Sequence, residues 1–141
     1  MTSTPLERFV ALSAALTGFR TVDLWGTGQA RAHLDLVLTV AGDGLGARLL
    51  EADPADTGAL LADPDLGPLA RNLIVLWYLG QWDQMPRDWR DRHGASPADV
   101  AHVASAAAFR AGLVWPAIGS HATSANAPGF GSWATPPEAL G

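Results

Sequence analysis

The first predicted helix has both a start signal and an apolar face. Thr4 is a good N-cap, Pro5 suits the first helical position, and Glu7 completes a capping box with Thr4. Gly18 is a suitable C-terminal stop. Between these signals one face carries, at helical spacing, Leu6, Phe9, Val10, Ser13, Leu16 and Thr17.

A second helix follows a short link, and the sequence offers Asp23 as its cap. Gly42 and Gly44 then break this helix, and a short helix over residues 45–52 comes after the break. The apolar stripe of the second helix consists of Ala30, Leu34, Val37, Leu38 and Ala41.

The middle of the chain predicts a short helix and then a long apolar one. Asp56 begins the short helix, which runs through Leu61, and Asp65 is the predicted cap of the long one, with Gly80 at its end. Residues 72–79 are apolar nearly all round, so this helix is buried either in the core or partly under a partner. A strand over residues 73–77 is an alternative, but the capping signals favour helix. The main apolar side consists of Leu66, Leu69, Leu73 and Leu76.

Residues 81–94 form the most polar stretch of the chain. They contain Trp82, Pro86 and Trp89 beside a run of charged residues. The pattern predicts an exposed loop with one short helical turn.

A long alanine-rich helix is predicted to come next. Ser96 is its N-cap, Pro97 takes the first position and Asp99 completes a capping box. The helix is expected to reach about Val114, and Pro116 ends or kinks it.

The predicted fold is all-α, a small bundle of about five helices over residues 1–119, followed by an extended arm over residues 120–141. Helical periodicity stops after Gly119, where Gly, Pro, Ser and Ala dominate. Tails without a docking surface are depleted in aromatic residues, but this segment contains Phe130 and Trp133. We therefore expect the arm to lie across a surface, which is either its own domain or another chain.

Composition narrows the function classes. The chain has 141 residues, enough for one domain, and no cysteine, which excludes disulfides and thiolate chemistry. A net charge of −5 without a Lys/Arg run argues against nucleic acid as a partner. Charged residues make up 16% of the chain, below the ~25% of an average domain, while six residues are Trp. We expect about half of the Trp residues to lie in the core, with apolar surface left for a protein partner.

Targeting signals are not visible in the sequence. No apolar run approaches the ~20 residues that span a bilayer, so direct membrane insertion is not expected. No secretory leader or twin-arginine pair is present, which predicts a cytoplasmic chain as given. A periplasmic location is expected instead if a leader was removed or a partner carries the chain.

The sequence contains no recognisable catalytic, cofactor or metal motif. The glycines at 26, 28, 42, 44 and 46 lack the strand and full pattern of a nucleotide cradle and are interpreted as turns. The acidic residues between 53 and 65 are interpreted as helix and turn caps, because Asp side chains bond nearby backbone amides. We therefore expect no catalytic residue, no bound cofactor and no metal in this chain.

The four histidines do not have the spacing of a helical metal site. His33 is predicted on an exposed face and His93 in solvent. His102 is placed near Asp99, to which it can donate a hydrogen bond, and a structural role is favoured because no nucleophile accompanies it. His121 is the one histidine of the arm and the better functional candidate.

Three segments together resemble a known family. They are F-V-A-L-S-A-A-L-T-G-F from Phe9, A-R-N-L-I-V-L-W-Y-L-G from Ala70, and the end from Leu113 to Pro137, with L-V-W-P-A-I-G-S-H and P-G-F-G-S-W-A-T-P-P. In this order and spacing they are similar to the small (gamma) subunit of FAD-dependent sugar and polyol dehydrogenase complexes, such as the sorbitol and fructose dehydrogenases.

The resemblance implies a non-catalytic accessory subunit. It would bind and stabilise, in a chaperone-like way, a large flavoprotein of the glucose–methanol–choline type, as one half of a heterodimer, with the FAD in the partner. Two departures stand out: there is no twin-arginine signal, and His121-Ala122 stands where relatives often have Tyr-Cys. The resemblance and the aromatic arm together nominate as partner-binding residues Trp77, Tyr78, Trp115, Pro116, His121, Pro128, Gly129, Phe130, Trp133 and Pro136.

Two other functions stay open at the level of sequence. One is a free-standing helical binding or regulatory protein with an unrelated partner. The other is a small enzyme that depends on His102 or His121.

Overall fold

The computed structural model describes residues 3–118, and this part of the chain is mainly helical, which confirms the predicted all-α class. The helices are α1 (Pro5–Thr17), α2 (Thr21–Gly26), α3 (Ala30–Leu50), α4 (Thr57–Ala62), α5 (Leu66–Leu79), α6 (Arg87–His93), α7 (Ala106–Arg110) and α8 (Val114–Ala117). Two short strands, β1 (Gln81–Trp82) and β2 (His102–Val103), pair antiparallel.

The predicted caps of α1 are confirmed. The Thr4 hydroxyl accepts a hydrogen bond from the Glu7 amide at 3.1 Å, and the Thr4 amide donates to the Glu7 carboxylate at 2.9 Å. Gly18 adopts a left-handed conformation, with φ 82°, where the helix ends. Local hydrogen bonds and backbone conformation therefore define both ends of α1.

Asp23 is not the cap of the long second helix. It lies inside α2, where its carboxylate accepts from the Arg20 amide and pairs with the Arg20 guanidinium. The long helix α3 begins only at Ala30. The predicted break is confirmed at Gly42, whose φ of 81° and ψ of 170° interrupt the helical backbone of α3.

The helices α4 and α5 form as predicted, but with one different cap. Asp56 caps α4 by accepting a hydrogen bond from the Ala59 amide. At the start of α5 the capping carboxylate is that of Asp63, which accepts from the Asp65 and Leu66 amides at 2.8 and 2.9 Å. Asp65 occupies the predicted N-cap position of α5, but its side chain makes no capping hydrogen bond, and its carboxylate pairs with basic side chains instead.

The core lies where α1, α3 and α5 pack against one another. The stripe predicted for α5 is buried throughout, and the alternative of a strand there is excluded. The Tyr78 hydroxyl donates to the Thr17 carbonyl at 2.8 Å, which fixes the end of α5 beside the end of α1. The large side chains at the centre include Phe9, Leu12, Leu34, Leu69, Leu73, Leu76 and Trp77.

For residues 81–94 the predicted short helical turn is confirmed as α6, but the prediction that the segment as a whole is an exposed loop is wrong. Trp82 and Trp89 are both buried, and most of the segment is ordered as β1 and α6. The Trp89 indole donates to the Asp65 carbonyl at 2.9 Å, so α6 is held against the start of α5. The charged residues around these two rings made the stretch look solvent-facing, but the indoles turn inward.

The long helix predicted to run from Ser96 to Val114 is also wrong. Asp99, its expected capping residue, turns its carboxylate inward and accepts from the Trp82 indole and the Met85 amide. The chain then forms β2 and begins α7 only after Ser105, whose hydroxyl accepts from the Ala108 amide. The tertiary contacts of Asp99 outweigh the local capping signal.

Among residues 3–118 no helix is both long enough and apolar enough to span a membrane.

Candidate interaction surface

The last turn of α5 is the anchor for the segments that follow the short sheet. The Gly80 carbonyl accepts from the Ala104 amide at 2.8 Å, and the Trp77 carbonyl accepts from the Leu113 amide at 2.9 Å. These bonds place α7 and α8 at the same end of α5.

Two glycines permit this close packing. A Cβ at Gly80 would lie 2.5 Å from the Ala108 backbone, and a Cβ at Gly112 would lie 2.5 Å from the Tyr78 carbonyl oxygen. Gly80 also has a φ of 67°, which favours glycine at the helix end. The geometry at this end therefore depends on backbone-to-backbone contact that other residues would obstruct.

Large apolar side chains remain in solvent around this anchor. The exposed fractions are 42% for Leu79, 52% for Val103, 44% for Phe109 and 66% for Ile118, and Trp115 is half-buried. We call these five residues the apolar end surface. They lie on, or directly after, α5, β2, α7 and α8, which are joined at this end, and exposed apolar groups on adjoining elements, unlike scattered single ones, are typical of an interaction site.

Two rings of the apolar end surface are held in a fixed arrangement. Phe109 and Trp115 meet edge to face, with centroids 5.9 Å apart and planes at 81°. The Trp115 indole also donates to the Phe109 carbonyl at 3.1 Å. Because both rings are oriented before any partner arrives, little side-chain entropy is lost when they are covered.

The segment that forms most of this surface carries little charge. Over residues 100–118, Arg110 is the only Asp, Glu, Lys or Arg in the sequence. The centres of protein interfaces are likewise depleted in charged residues and enriched in aromatic ones. The low charge of this segment and the exposure of its apolar side chains therefore both indicate a protein interface.

The predicted partner-binding residues divide into three groups. Trp77 is 1% exposed and lies against Phe9 and His33, so it belongs to the core and leaves no surface for a partner to contact. Tyr78, Trp115 and Pro116 lie at the end of α5 or in α8, where at least part of each is accessible. Outside the described residues lie the arm as a whole, its boundary at 119–120, and His121, Pro128, Gly129, Phe130, Trp133 and Pro136.

Sequence reasoning missed most of the apolar end surface. Leu79 belonged to an all-round apolar helix, so the pattern did not single out its exposed side. Val103 and Phe109 fell within a helix that does not exist. One signal in the sequence could have indicated this surface: the run from Val100 to Ile118 contains a single charged residue, Arg110.

The position of His33 corrects the prediction of an exposed face. This residue is 2% exposed and its ring meets the Trp77 ring edge to face at 4.7 Å. Burial removes the charged imidazolium from water and lowers the pKa of His33 from 6.5 to about 4. The side chain is therefore a neutral core group at neutral pH.

The other described histidines lie apart from one another. His93 is not simply solvated, because its Nε2 lies 2.8 Å from Asp65 Oδ1 and its ring packs on Trp89. The Nδ1 atom of His102 contacts the Val100 carbonyl and not Asp99. Within residues 3–118 no three His, Asp or Glu side chains gather as metal ligands would.

The acidic residues near α4 act mostly as predicted. Asp53, Asp56 and Asp63 accept hydrogen bonds from backbone amides of the turns and helix starts. The amides of Leu66 and Asp65 lower the pKa of Asp63, and the His93 side chain lowers the pKa of Asp65. These carboxylates therefore have structural partners.

Comparisons of the chain with protein-family models, with curated proteins and with solved structures find no match.

Proposed function

We propose that this chain is a non-catalytic accessory subunit that binds and stabilises a large FAD-dependent sugar or alcohol dehydrogenase subunit of the glucose–methanol–choline type. The observation that carries the proposal is the apolar end surface, where oriented aromatic rings stand in solvent at one end of a well-packed helical core. A binding subunit needs such a surface.

The choice of a flavoprotein as the partner rests on the three sequence segments. Two of them meet at this surface: the segment that ends at Gly80 supplies Leu79, and the segment that begins at Leu113 supplies Trp115 and Ile118. The remaining segment, which starts at Phe9, forms most of α1, and the end of α1 is hydrogen-bonded to Tyr78. The resemblance and the surface thus involve the same part of the molecule.

In this proposal a few aromatic residues contribute most of the binding free energy. Truncation of a central aromatic residue in an interface commonly costs about 2 kcal/mol or more of binding free energy. Phe109 and Trp115 are suited to this role because their mutual orientation is fixed. The FAD and the catalytic groups belong, in this proposal, to the partner.

Co-expression tests the proposal. The flavoprotein subunit that the proposal requires is produced with and without the chain, and its solubility, flavin content and dehydrogenase activity are measured. We expect a soluble, flavin-loaded complex only when both are present. If the flavoprotein alone is equally soluble, flavin-loaded and active, the proposal is rejected.

A further inference from the structure

We propose that the free chain forms a two-fold dimer through the outer edge of β2, with Val103 on the axis. The occupant of this edge is the same edge of a second copy, and the two-stranded sheets of the two copies then join into one. The inference concerns the chain by itself and goes beyond the proposed function, since it needs no flavoprotein.

The register of the two strands decides which backbone groups of β2 are free. Gln81 lies opposite Val103, and the Ala104 amide donates to the Gly80 carbonyl at 2.8 Å. Backbone groups along an antiparallel strand point alternately toward the partner strand and away from it. The N–H and C=O of Val103 therefore point away from β1, and among the described residues neither has a hydrogen-bond partner.

This edge is open to solvent and lacks the side chains that usually block a sheet edge. Val103 is 52% exposed, and Ala101 and Ser105, on either side of it, are exposed as well. Lysine, proline and inward-facing charges protect edges from pairing with another chain, but none of them occurs over residues 100–107. Extended backbone continues to Ser105, with φ −169° and ψ 164°, so the edge reaches beyond the two residues of β2.

A second copy of the chain fits this edge because the edge is self-complementary. When two β2 strands run antiparallel about Val103, the N–H of each Val103 faces the C=O of the other, and both hydrogen bonds form together. The same axis places the two Val103 side chains beside each other on one face of the joined sheet. Isologous two-fold dimers of this kind are the commonest homo-oligomers.

Apolar side chains beside the edge add to the contact. Val100 is 49% exposed, and Phe109, on the adjoining helix α7, is 44% exposed. Their burial with Val103 supplies the apolar area that a dimer held by backbone hydrogen bonds alone would lack.

The distribution of charge also favours a second copy. The chain has a net charge of −5, which opposes self-association wherever acidic surfaces meet. Residues 100–118 contain no Asp or Glu, whereas Asp53, Asp56, Asp63 and Asp65 lie around α4 and the start of α5. Contact through β2 therefore brings uncharged surfaces together and leaves these acidic groups outside the interface.

A disulfide across the axis tests the inference directly, because the chain has no cysteine of its own. In the full chain with Val103→Cys, the paired arrangement places the two Cα atoms of residue 103 about 5.5 Å apart, which a disulfide can span. Ala101→Cys is the matched control on the same exposed edge. Residue 101 faces residue 105 of the second copy, so the two control cysteines lie about 13 Å apart along the strands.

We expect a covalent dimer to form rapidly under mild oxidation for Val103→Cys and not for Ala101→Cys. Equal crosslinking of the two variants, or crosslinking of neither, overturns the inference.

Sedimentation of the full chain gives a second, independent measurement. We expect the wild type to pass from monomer to dimer as its concentration rises, and Val103→Pro to raise the dimer dissociation constant about tenfold or more. Proline removes the outward N–H, and a sheet edge tolerates it because no ladder bond to β1 is lost. Val103→Thr keeps the N–H and is expected to dimerise like the wild type.

Two sedimentation results contradict the inference. One is a wild type that remains monomeric at about 1 mM, and the other is a dimer that withstands Val103→Pro. A monomeric chain whose Val103→Pro variant loses affinity for the flavoprotein would assign the edge to a strand of that partner instead of a second copy. If Val103→Pro does not fold, the two cysteine variants still decide. The dimer measurements contain no flavoprotein, so their failure is distinct from failure of the proposed function.

Discussion

The indole N–H of Trp82 donates a hydrogen bond to the carboxylate of Asp99 at 3.0 Å, in the interior of the molecule. The same carboxylate oxygen accepts from the Met85 amide at 2.8 Å, and the other lies 3.4 Å from the Arg90 guanidinium. Asp99 is 1% exposed. This one side chain therefore joins β1, the loop after it and α6 to the segment that leads into β2.

We predict that Asp99→Ala is among the most destabilising single changes in the described part of the chain. It leaves the Trp82 indole and the Met85 amide buried without their acceptor and removes the counter-charge of Arg90. Leaving two buried donors without an acceptor costs about 1–3 kcal/mol of unfolding free energy for each, and the partly exposed Arg90 adds little to this. Urea unfolding measures the loss, and Asp91→Ala on the exposed side of α6 is the control, expected within ~0.5 kcal/mol of the wild type. Equal stability of the two variants would contradict this role of Asp99.

The close contact at Gly80 gives a second prediction. Gly18 and Gly80 both end helices in the left-handed conformation, but only Gly80 faces another backbone at 2.5 Å. We expect Gly18→Ala to cost about 1 kcal/mol, which is the conformational penalty alone. Gly80→Ala should lower the unfolding free energy by clearly more than Gly18→Ala does, because α7 must move away from α5. Thermal unfolding of both variants checks this, and the same cost at both positions would show that the contact is not tight.

Burial of His33 makes stability depend on pH. Its pKa is 6.5 in the unfolded chain and about 4 when folded, so the unfolded state takes up the proton first as the pH falls. The stabilisation is complete above about pH 6.5 and is lost progressively down to about pH 4, for a total of about 3 kcal/mol.

Unfolding free energies of wild type and His33→Leu between pH 7 and 4 test this expectation. The variant should lack most of the decline over this range, while a control, His102→Gln, should keep it. An unchanged decline in His33→Leu would mean that other groups cause it. Asp23, Asp63 and Asp65, whose pKa values are lowered, contribute at lower pH, below their unfolded value of 3.8.

Local signals in the sequence predicted the first two thirds of the fold well. The capping box at Thr4, the glycine stops at 18 and 80 and the leucine stripe of α5 each act through neighbours in the chain, so their meaning does not depend on the rest of the structure. The break at Gly42 is predictable for the same reason.

The last third could not be predicted, because long-range contacts override its local signals. The motif from Ser96 to Asp99 is a good capping box, yet Asp99 is needed by an indole seventeen positions earlier. The same limit applies earlier in the chain, where His33 was predicted on an exposed face from its polarity although its ring packs against Trp77. The apolar end surface depends on where Gly80 meets Ala108, and no periodicity encodes that contact.

The central claim is that the apolar end surface binds the flavoprotein subunit. The most direct measurement is the affinity of the purified chain for that subunit, compared between two double variants. Phe109→Ser with Ile118→Ser alters the surface, and Glu51→Ser with Pro54→Ser changes an exposed pair beside the start of α1, at the opposite end of that helix from Thr17 and Tyr78. We predict a loss of about tenfold or more in affinity for the first and little change for the second, with both folded. Equal affinities for wild type and the first variant would contradict the account.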